Sequence, residues 1–259
     1  MYRRYRWSMD GYGRTPVGKG VIGLIVASGI CFLMQMASRH LIDVFVLDPS
    51  RALPELKLYQ LVTYMFLHGG FFHLFINLFV LYMFGRELEG LWGTSRFLFY
   101  YFVSGIGAGL VTALLSRYPV VGASGAIYGL LLAYGVLFPN RTILLWFFIP
   151  MKAKYLVILF AVLEFFASMG GGGDGISHIT HLGGMVFGGA LLAIWHLGGT
   201  LKRKRRMSVI HDLTGGPASP ANVDRILDKV LREGVESLTE DEKRILIRAG
   251  KFYQRDTRN

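Results

Sequence analysis

The sequence predicts an all-α polytopic membrane protein: a six-transmembrane-helix bundle followed by a small helical cytosolic tail. Three observations predict it. The 259 residues are 53% hydrophobic and only 17% charged, where a soluble domain carries about a quarter. Six stretches run for about 20 residues, the length that crosses a bilayer core as a helix. Lys and Arg fall between these stretches with a strong bias to alternate connections. Such a composition excludes a disordered chain, which lacks apolar residues, and argues against an ordinary cytosolic enzyme.

The spans follow in order. Residues 20–38, 58–85, 97–116, 118–140 and 175–201 contain no Asp, Glu, Lys or Arg. Residues 155–173 contain one, Glu164. Buried helices of a soluble protein are usually shorter, and six in succession set that reading aside. The first span begins after a basic, aromatic stretch, and no Ala-x-Ala-like site follows it closely, unlike a cleavable signal peptide. The single cysteine, Cys31, excludes an intramolecular disulfide and any cysteine-based zinc or iron–sulfur cluster.

Charge placement orients the bundle. Arg3, Arg4, Arg6, Arg14 and Lys19 precede span one. Arg86 and Arg96 lie between spans two and three, and Arg141, Lys152 and Lys154 between four and five. The run Lys202, Arg203, Lys204, Arg205, Arg206 follows span six. These fifteen share one face; Arg39, Arg51, Lys57 and Arg117 are the four on the other. Both termini are therefore expected in the cytoplasm. The net charge of +11 is then mostly topological, and nucleic-acid binding by the Lys-Arg run is a minor alternative.

The expected organisation is a cytosolic N-terminal tail over 1–19, the membrane domain over 20–201, and a basic stop-transfer segment with a helical tail over 202–259. Gly215-Gly216-Pro217 and Ser219-Pro220 mark a linker. Val223, Ile226, Leu227, Val230 and Leu231 then form one apolar helix face. Thr239-Glu240-Asp241-Glu242 reads as a capping box opening a second helix. Two short helices supply too little core for a catalytic domain.

Polar side chains inside a bilayer are costly and mark function. Span two carries His68, His73 and Asn77; span four opens with Gly122-Ala123-Ser124-Gly125 and continues to Tyr128; span six opens with His178-Ile179-Thr180-His181 and continues to Gly184 and Gly188. On the topology above, spans two, four and six all begin at the outer face, so three separately encoded polar clusters reach similar depth. The pairs Gly125/Gly129 and Gly184/Gly188 allow close helix approach. If spans four and six meet there, the His181 imidazole can take the Ser124 proton. Tyr128, one turn on, can pack on that imidazole. His73 and Asn77, also one turn apart, offer donors for a developing oxyanion. Glu164 reads as a protonated or hydrogen-bonded bundle residue, with orientation of His181 as the minor alternative, and His178 as a structural neighbour on the face of His181, with a direct role as the minor alternative.

These motifs, "LHGGFFHLFIN", "GASGAIYG" and "HLGGMVFGG", with "FGRELEGLWGTSRFLFYY" between spans two and three, resemble those of the rhomboid intramembrane serine proteases. The resemblance covers roughly residues 20 to 200. It implies a Ser–His dyad without a third acid: Ser124 as nucleophile and His181 as general base, then acid. It further implies Tyr128 as support for the imidazole, and His73, Asn77 and the Ser124 N–H as oxyanion hole. Gly122 would sit in the turn presenting the serine, with Gly184 and Gly188 bringing span six to span four. No metal and no cofactor are implied. The implied partners are the lipid bilayer and single-pass transmembrane protein substrates, cut within or beside their helix near the outer face; nucleic acid is not among them, and no motif sets an oligomeric state. The implied location is a bacterial plasma membrane, multi-pass, with span five and the Gly170–Gly173 run as gate. Two positions depart from the pattern: Tyr59-Gln60 stands where the family often has Trp-Arg, and Thr180 where alanine is common.

Two other readings stay open. One is a catalytically silent relative that binds membrane helices as a scaffold or quality-control factor; the intact Ser124 and His181 count against it. The other is a metal or ion transporter using His68, His73, His178 and His181, where His178-x-x-His181 permits shared coordination but no intramembrane Asp accompanies them.

Overall fold

The computed structural model describes residues 17–38, 40–145, 148–169, 177–214 and 220–256. The chain forms two compact units, residues 1–193 and 194–259. The Gly170–Gly173 run, the basic segment before residue 17 and the linker at 215–219 lie outside the described residues.

In the first unit, helix α1 (Lys19–Ala37) leads into three short helices, α2 (His40–Phe45), α3 (Pro49–Ala52) and α4 (Gln60–Thr63). Helix α5 (Phe71–Val80) runs through a π-helical turn (Leu81–Gly85) into α6 (Arg86–Trp92). Then come α7 (Thr94–Leu115), α8 (Ser124–Leu137), α9 (Ala153–Met169) and α10 (His178–Thr214). Among the described residues, four helical stretches are long and apolar enough to cross a membrane: Lys19–Ala37, Phe71–Trp92, Thr94–Leu115 and His178–Gly198. Helices α8 and α9 are apolar but shorter, with 14 and 17 residues.

The second apolar stretch, whose span was expected to open at His68, carries short helical pieces over 60–66 before its long helix. That helix starts at Phe71, after the extended segment that ends α4 and its following turn, and continues past the charge-free limit at Gly85 to Trp92. That is possible because the charges it enters are neutralised locally. Glu89 accepts hydrogen bonds from the backbone N–H groups of Gly20 (2.8 Å) and Val21 (2.9 Å) and from Thr94 Oγ1 (2.6 Å), so it caps the N-terminus of α1. Glu87 meets the Tyr134 hydroxyl at 3.2 Å and Arg141 at 3.6 Å.

The fourth stretch, expected to open at Gly122, is helical from Ser124. Pro119 and Gly122 precede the helix, and Val120 pairs with Leu47 as a short bridge. Finally, the first unit is not entirely α. After α8, the β-branched Thr142 and Ile143 favour extension, and β1 (Thr142–Leu145) pairs antiparallel with β2 (Ile149–Lys152).

Helix α7 is the hub, packing against α1, α3, α4, α6 and α8. Small residues set its spacing to α10, where Gly107 faces Phe187 and Gly183 faces Val111 and Ala108. Between α8 and α10 the backbones nearly touch: a Cβ on Gly184 would overlap the Gly125 carbonyl oxygen. A Cβ on Gly188 would collide with the Tyr100 hydroxyl of α7, which donates to the Gly129 carbonyl of α8 at 2.9 Å, so Gly188 makes room for a tyrosine that bridges the two helices.

In the second unit, α11 (Pro220–Glu233) and α12 (Glu240–Asp256) pack around Ile226, Leu238 and Ala249. Thr239 and Glu242 form the reciprocal capping pair. The Thr239 N–H donates to Glu242 Oε2 at 3.0 Å, and the Glu242 N–H to Thr239 Oγ1 at 3.3 Å. Lys229 reaches the same carboxylate from α11 at 2.9 Å.

Gly184→Val should cost about 3 kcal/mol, the upper range for overpacking, and lower the unfolding temperature. Gly23→Ala, where nothing lies within 4 Å of the new Cβ, should leave it unchanged. The Thr239 N–H and then Lys229 hold the Glu242 carboxyl down at about 2, against an ordinary 4.5. A depressed carboxylate stabilises the fold above its unfolded value, so this contribution is present above about pH 4.5 and lost as pH falls through about 2. Pepsin cleavage between α11 and α12 should therefore rise as pH drops from 4.5 to 2. Glu242→Gln should be cut faster than wild type at pH 4.5 and converge with it near pH 2.

Candidate active site

Helix α8 begins without a side-chain cap, since Ala123 precedes it. Its first backbone N–H groups therefore lack intrahelical partners. Ser124 stands at this end. Gly122, two residues earlier, has φ +126°, a conformation L side chains rarely adopt, and its Cβ would lie 2.8 Å from His73 Nε2. Only glycine lets the turn pass that close to the imidazole. The Gly122 N–H donates to the Tyr64 carbonyl at 2.9 Å, and the Tyr64 hydroxyl donates to the Gly105 carbonyl at 2.7 Å. The turn is thereby tied to α7 through a buried tyrosine.

Opposite, α10 presents His181. Its Nε2 lies 2.8 Å from Ser124 Oγ, and the Tyr128 ring stacks on it with centroids 4.2 Å apart and planes 7° from parallel. Thr180, buried beside it, bonds to Thr112 of α7 at 2.6 Å and also to Ser177. So the departure from alanine at this position ties the start of α10 to α7.

Helix α5 supplies the third side. His73 Nδ1 accepts the Gly69 N–H at 3.3 Å, which leaves the proton on Nε2, the nitrogen facing Gly122. Asn77 is buried and donates one amide N–H to the His73 carbonyl at 3.0 Å; its second remains available. His68 lies behind, fully buried, with its ring edge-on to His73 at 5.2 Å. Gln35 of α1, which the sequence reading passed over, fixes this turn. Its Nε2 donates to the His68 carbonyl at 2.6 Å, and its Oε1 accepts the His68 N–H at 3.1 Å. Gln60, in place of the usual arginine, has its own work. It accepts from the Asp48 N–H at 3.2 Å and donates to the Val44 carbonyl at 3.3 Å, so it holds the loop after α2.

Ser124, His181, His73, Asn77 and Tyr128 all line one cavity of about 1220 Å³. Its flanks are apolar, with Phe75, Ile76 and Phe79 from α5 on one side and Leu156 and Phe160 from α9 on the other. A serine hydroxyl on an imidazole nitrogen, beside uncapped helix N–H groups and a histidine N–H, can support nucleophilic attack and stabilise an oxyanion.

The rhomboid-domain family model matches residues 55–198. The chain belongs to the rhomboid family. It is 35% identical over 145 residues to "Rhomboid-like protease 5" of Toxoplasma gondii, covering 55% of this chain and 17% of that protein. It is 33% identical over 132 residues to "Rhomboid protease GluP" of Bacillus subtilis, covering 50% and 24%, and 29% identical over 148 residues to "Rhomboid protein 1, mitochondrial" of Saccharomyces cerevisiae, covering 54% and 42%. The chain thus spans less than half the length of these relatives. Membership of the rhomboid family and the long apolar helices make it an integral membrane protein.

One expectation drawn from the rhomboid resemblance fails on geometry. The histidine is not without an acid. Glu164 of α9 places Oε1 3.0 Å from His181 Nδ1 and Oε2 2.6 Å from His178 Nδ1, and it accepts the Tyr128 hydroxyl proton. Read along the chain, Glu164 was a lone polar residue on an apolar helix, 17 positions before His181. The one available signal was its being the only charge in that span.

Gln35→Leu should leave two buried backbone groups of His68 unpaired and cost about 1–3 kcal/mol each. The unfolding temperature of the purified protein measures it.

Proposed function

We propose that this chain is an intramembrane serine endopeptidase. It would cleave single-pass transmembrane proteins within or next to their membrane helix, near the outer face. The single observation that carries this is Ser124 Oγ at 2.8 Å from His181 Nε2 inside an apolar-walled cavity. The protease names of the rhomboid relatives support it.

In this reading α8 and α9 are spans four and five of six. A 14-residue helix is about 21 Å long, less than the ~30 Å hydrocarbon core, so Ser124 would lie below the outer surface in a water-filled recess. The bias of Lys and Arg supports cytoplasmic termini, and the same reading assigns a bacterial plasma membrane. Substrate would enter between α5 and α9, whose apolar side chains flank the cavity. No cofactor takes part.

With its proton on Nδ1, His181 accepts the Ser124 hydroxyl proton at Nε2 as Oγ bonds to the scissile carbonyl carbon. The negative charge on the carbonyl oxygen meets the His73 Nε2–H, the free Asn77 N–H and the Ser124 backbone N–H. Collapse breaks the C–N bond, and Nε2–H passes its proton to the leaving amine. Water then repeats the cycle on the acyl-serine, and His181 removes its proton. Tyr128 keeps the imidazole plane fixed throughout.

Ser124→Ala and His181→Ala should each abolish cleavage of a single-span substrate by the purified protein. Fluorophosphonate labelling should disappear in both, while helix content stays the same. Full cleavage by Ser124→Ala would refute the protease reading. Absent labelling in the wild type would favour a silent scaffold that binds membrane helices.

A further inference from the structure

We infer that Glu164 is a positioning residue for His181, so that the dyad works as a Ser–His pair oriented by an acid; this rests on the protease reading above. Glu164 is buried, at 7% exposure, in an apolar helix whose other charge, Lys154, stands in its first turn ten residues away. A carboxylate there needs partners, and its two oxygens have three. Tyr128 and His181 share Oε1, and His178 holds Oε2.

The second, independent observation concerns His181 itself. Its Nε2 is 2.8 Å from Ser124 Oγ, a contact that activates the serine only with the ring proton on Nδ1. Nδ1 is buried and has no aligned hydrogen-bond acceptor among the described residues. Glu164 Oε1 is 3.0 Å away, close enough for an ion pair but off the axis of a straight hydrogen bond. A negative carboxylate at that distance favours the Nδ1–H tautomer, which leaves the Nε2 lone pair facing the serine. When Nε2 takes the Ser124 proton, the imidazolium charge develops against that carboxylate and draws the bent contact straight. Glu164 gains no proton in this step; it stays ionised.

The supports of Glu164 are arranged to stop it rotating. Tyr128 stacks on His181 and also donates to Glu164, so one side chain sets both the ring plane and the carboxylate. His178, one turn before His181 on α10, holds the other oxygen. A role for His178 follows: it is the second clamp on the acid.

The test compares wild type, Glu164→Gln, Glu164→Asp and Ser124→Ala as full-length protein with a single-span substrate. Gln keeps the size and the acceptor oxygen but removes the charge. Glu164→Gln should lower kcat on the order of 10²-fold, the scale of general acid–base assistance, with KM within about twofold. Fluorophosphonate labelling of Ser124 should slow by a similar factor, the unfolding temperature should hold, and Glu164→Asp should recover part of kcat. Wild-type kcat in Glu164→Gln overturns the inference and leaves the protease reading standing; cleavage by Ser124→Ala overturns both. A loss that merely follows a lowered unfolding temperature overturns it in favour of packing. Because Glu164, His178 and His181 are also close enough to bracket a cation, wild-type activity abolished by a chelator and restored by zinc overturns it too. Should Glu164→Gln fail to fold, Tyr128→Phe decides. It keeps the ring stack and removes the bond to Glu164, so kcat should fall several-fold at unchanged KM, and an unchanged kcat overturns the inference.

Discussion

The close approach of α8 and α10 is the constraint on which the rest depends. Ser124 and His181 are 57 residues apart in sequence, and their side chains are short. They meet at 2.8 Å because Gly125 and Gly184 carry no Cβ where the two backbones nearly touch. Any larger side chain would hold the helices apart by more than a hydrogen bond can span. Helix α7 sets the same spacing from behind, with Ala108 against Gly125 and Ser104 against Gly129. The site is thus built from absence of side chain at the helix junction and from side chains of high polarity one turn above it.

Polar groups in this apolar bundle are supported in a consistent way. Each buried carboxylate of the first unit closes a join between elements. Glu89 caps α1 and holds the start of α7, Glu87 ties α6 to Tyr134 of α8 and to Arg141, and Glu164 joins α9 to α8 and α10. Gln35 ties α1 to the turn before α5, and Thr112 ties α7 to Thr180 of α10. A satisfied polar group in a low-dielectric setting is directional where van der Waals packing is not. This gives the bundle one arrangement instead of several similarly packed ones. The three groups near the cavity, Glu164, Tyr128 and His178, extend the same device into the chemistry of His181.

Much of the site was legible along the chain because its parts are short motifs on single helices. Ser124 and Tyr128 are one turn apart, as are His73 and Asn77, and helix periodicity alone puts each pair on one face. Gly122 was legible as the turn before the serine. The structure adds that its φ of +126° and the His73 ring leave no room for a Cβ. Gln35 was not legible, and Glu164 was legible as an acid for His181 only as a minor alternative, since each acts through partners on other helices, at separations of 14 to 36 residues. For Gly188 the structure adds the Tyr100 hydroxyl of α7 as its near neighbour, because periodicity says which residues share a face and not which helix lies against it.

The sequence alone determined the apolar helical character and the family, and it pointed to the serine and histidine proposed as the dyad, because these rest on composition and on contiguous motifs. Tertiary structure decided where the helices start and stop. Span two begins at Phe71 and runs on through Glu87 and Glu89, since partners on α1, α7 and α8 neutralise those charges; α8 begins only at Ser124, since the segment before it pairs with Leu47 and Tyr64. It also decided that the histidine faces an acid. Hydropathy sums residues along one segment, whereas the fate of a buried charge depends on what another segment brings to it.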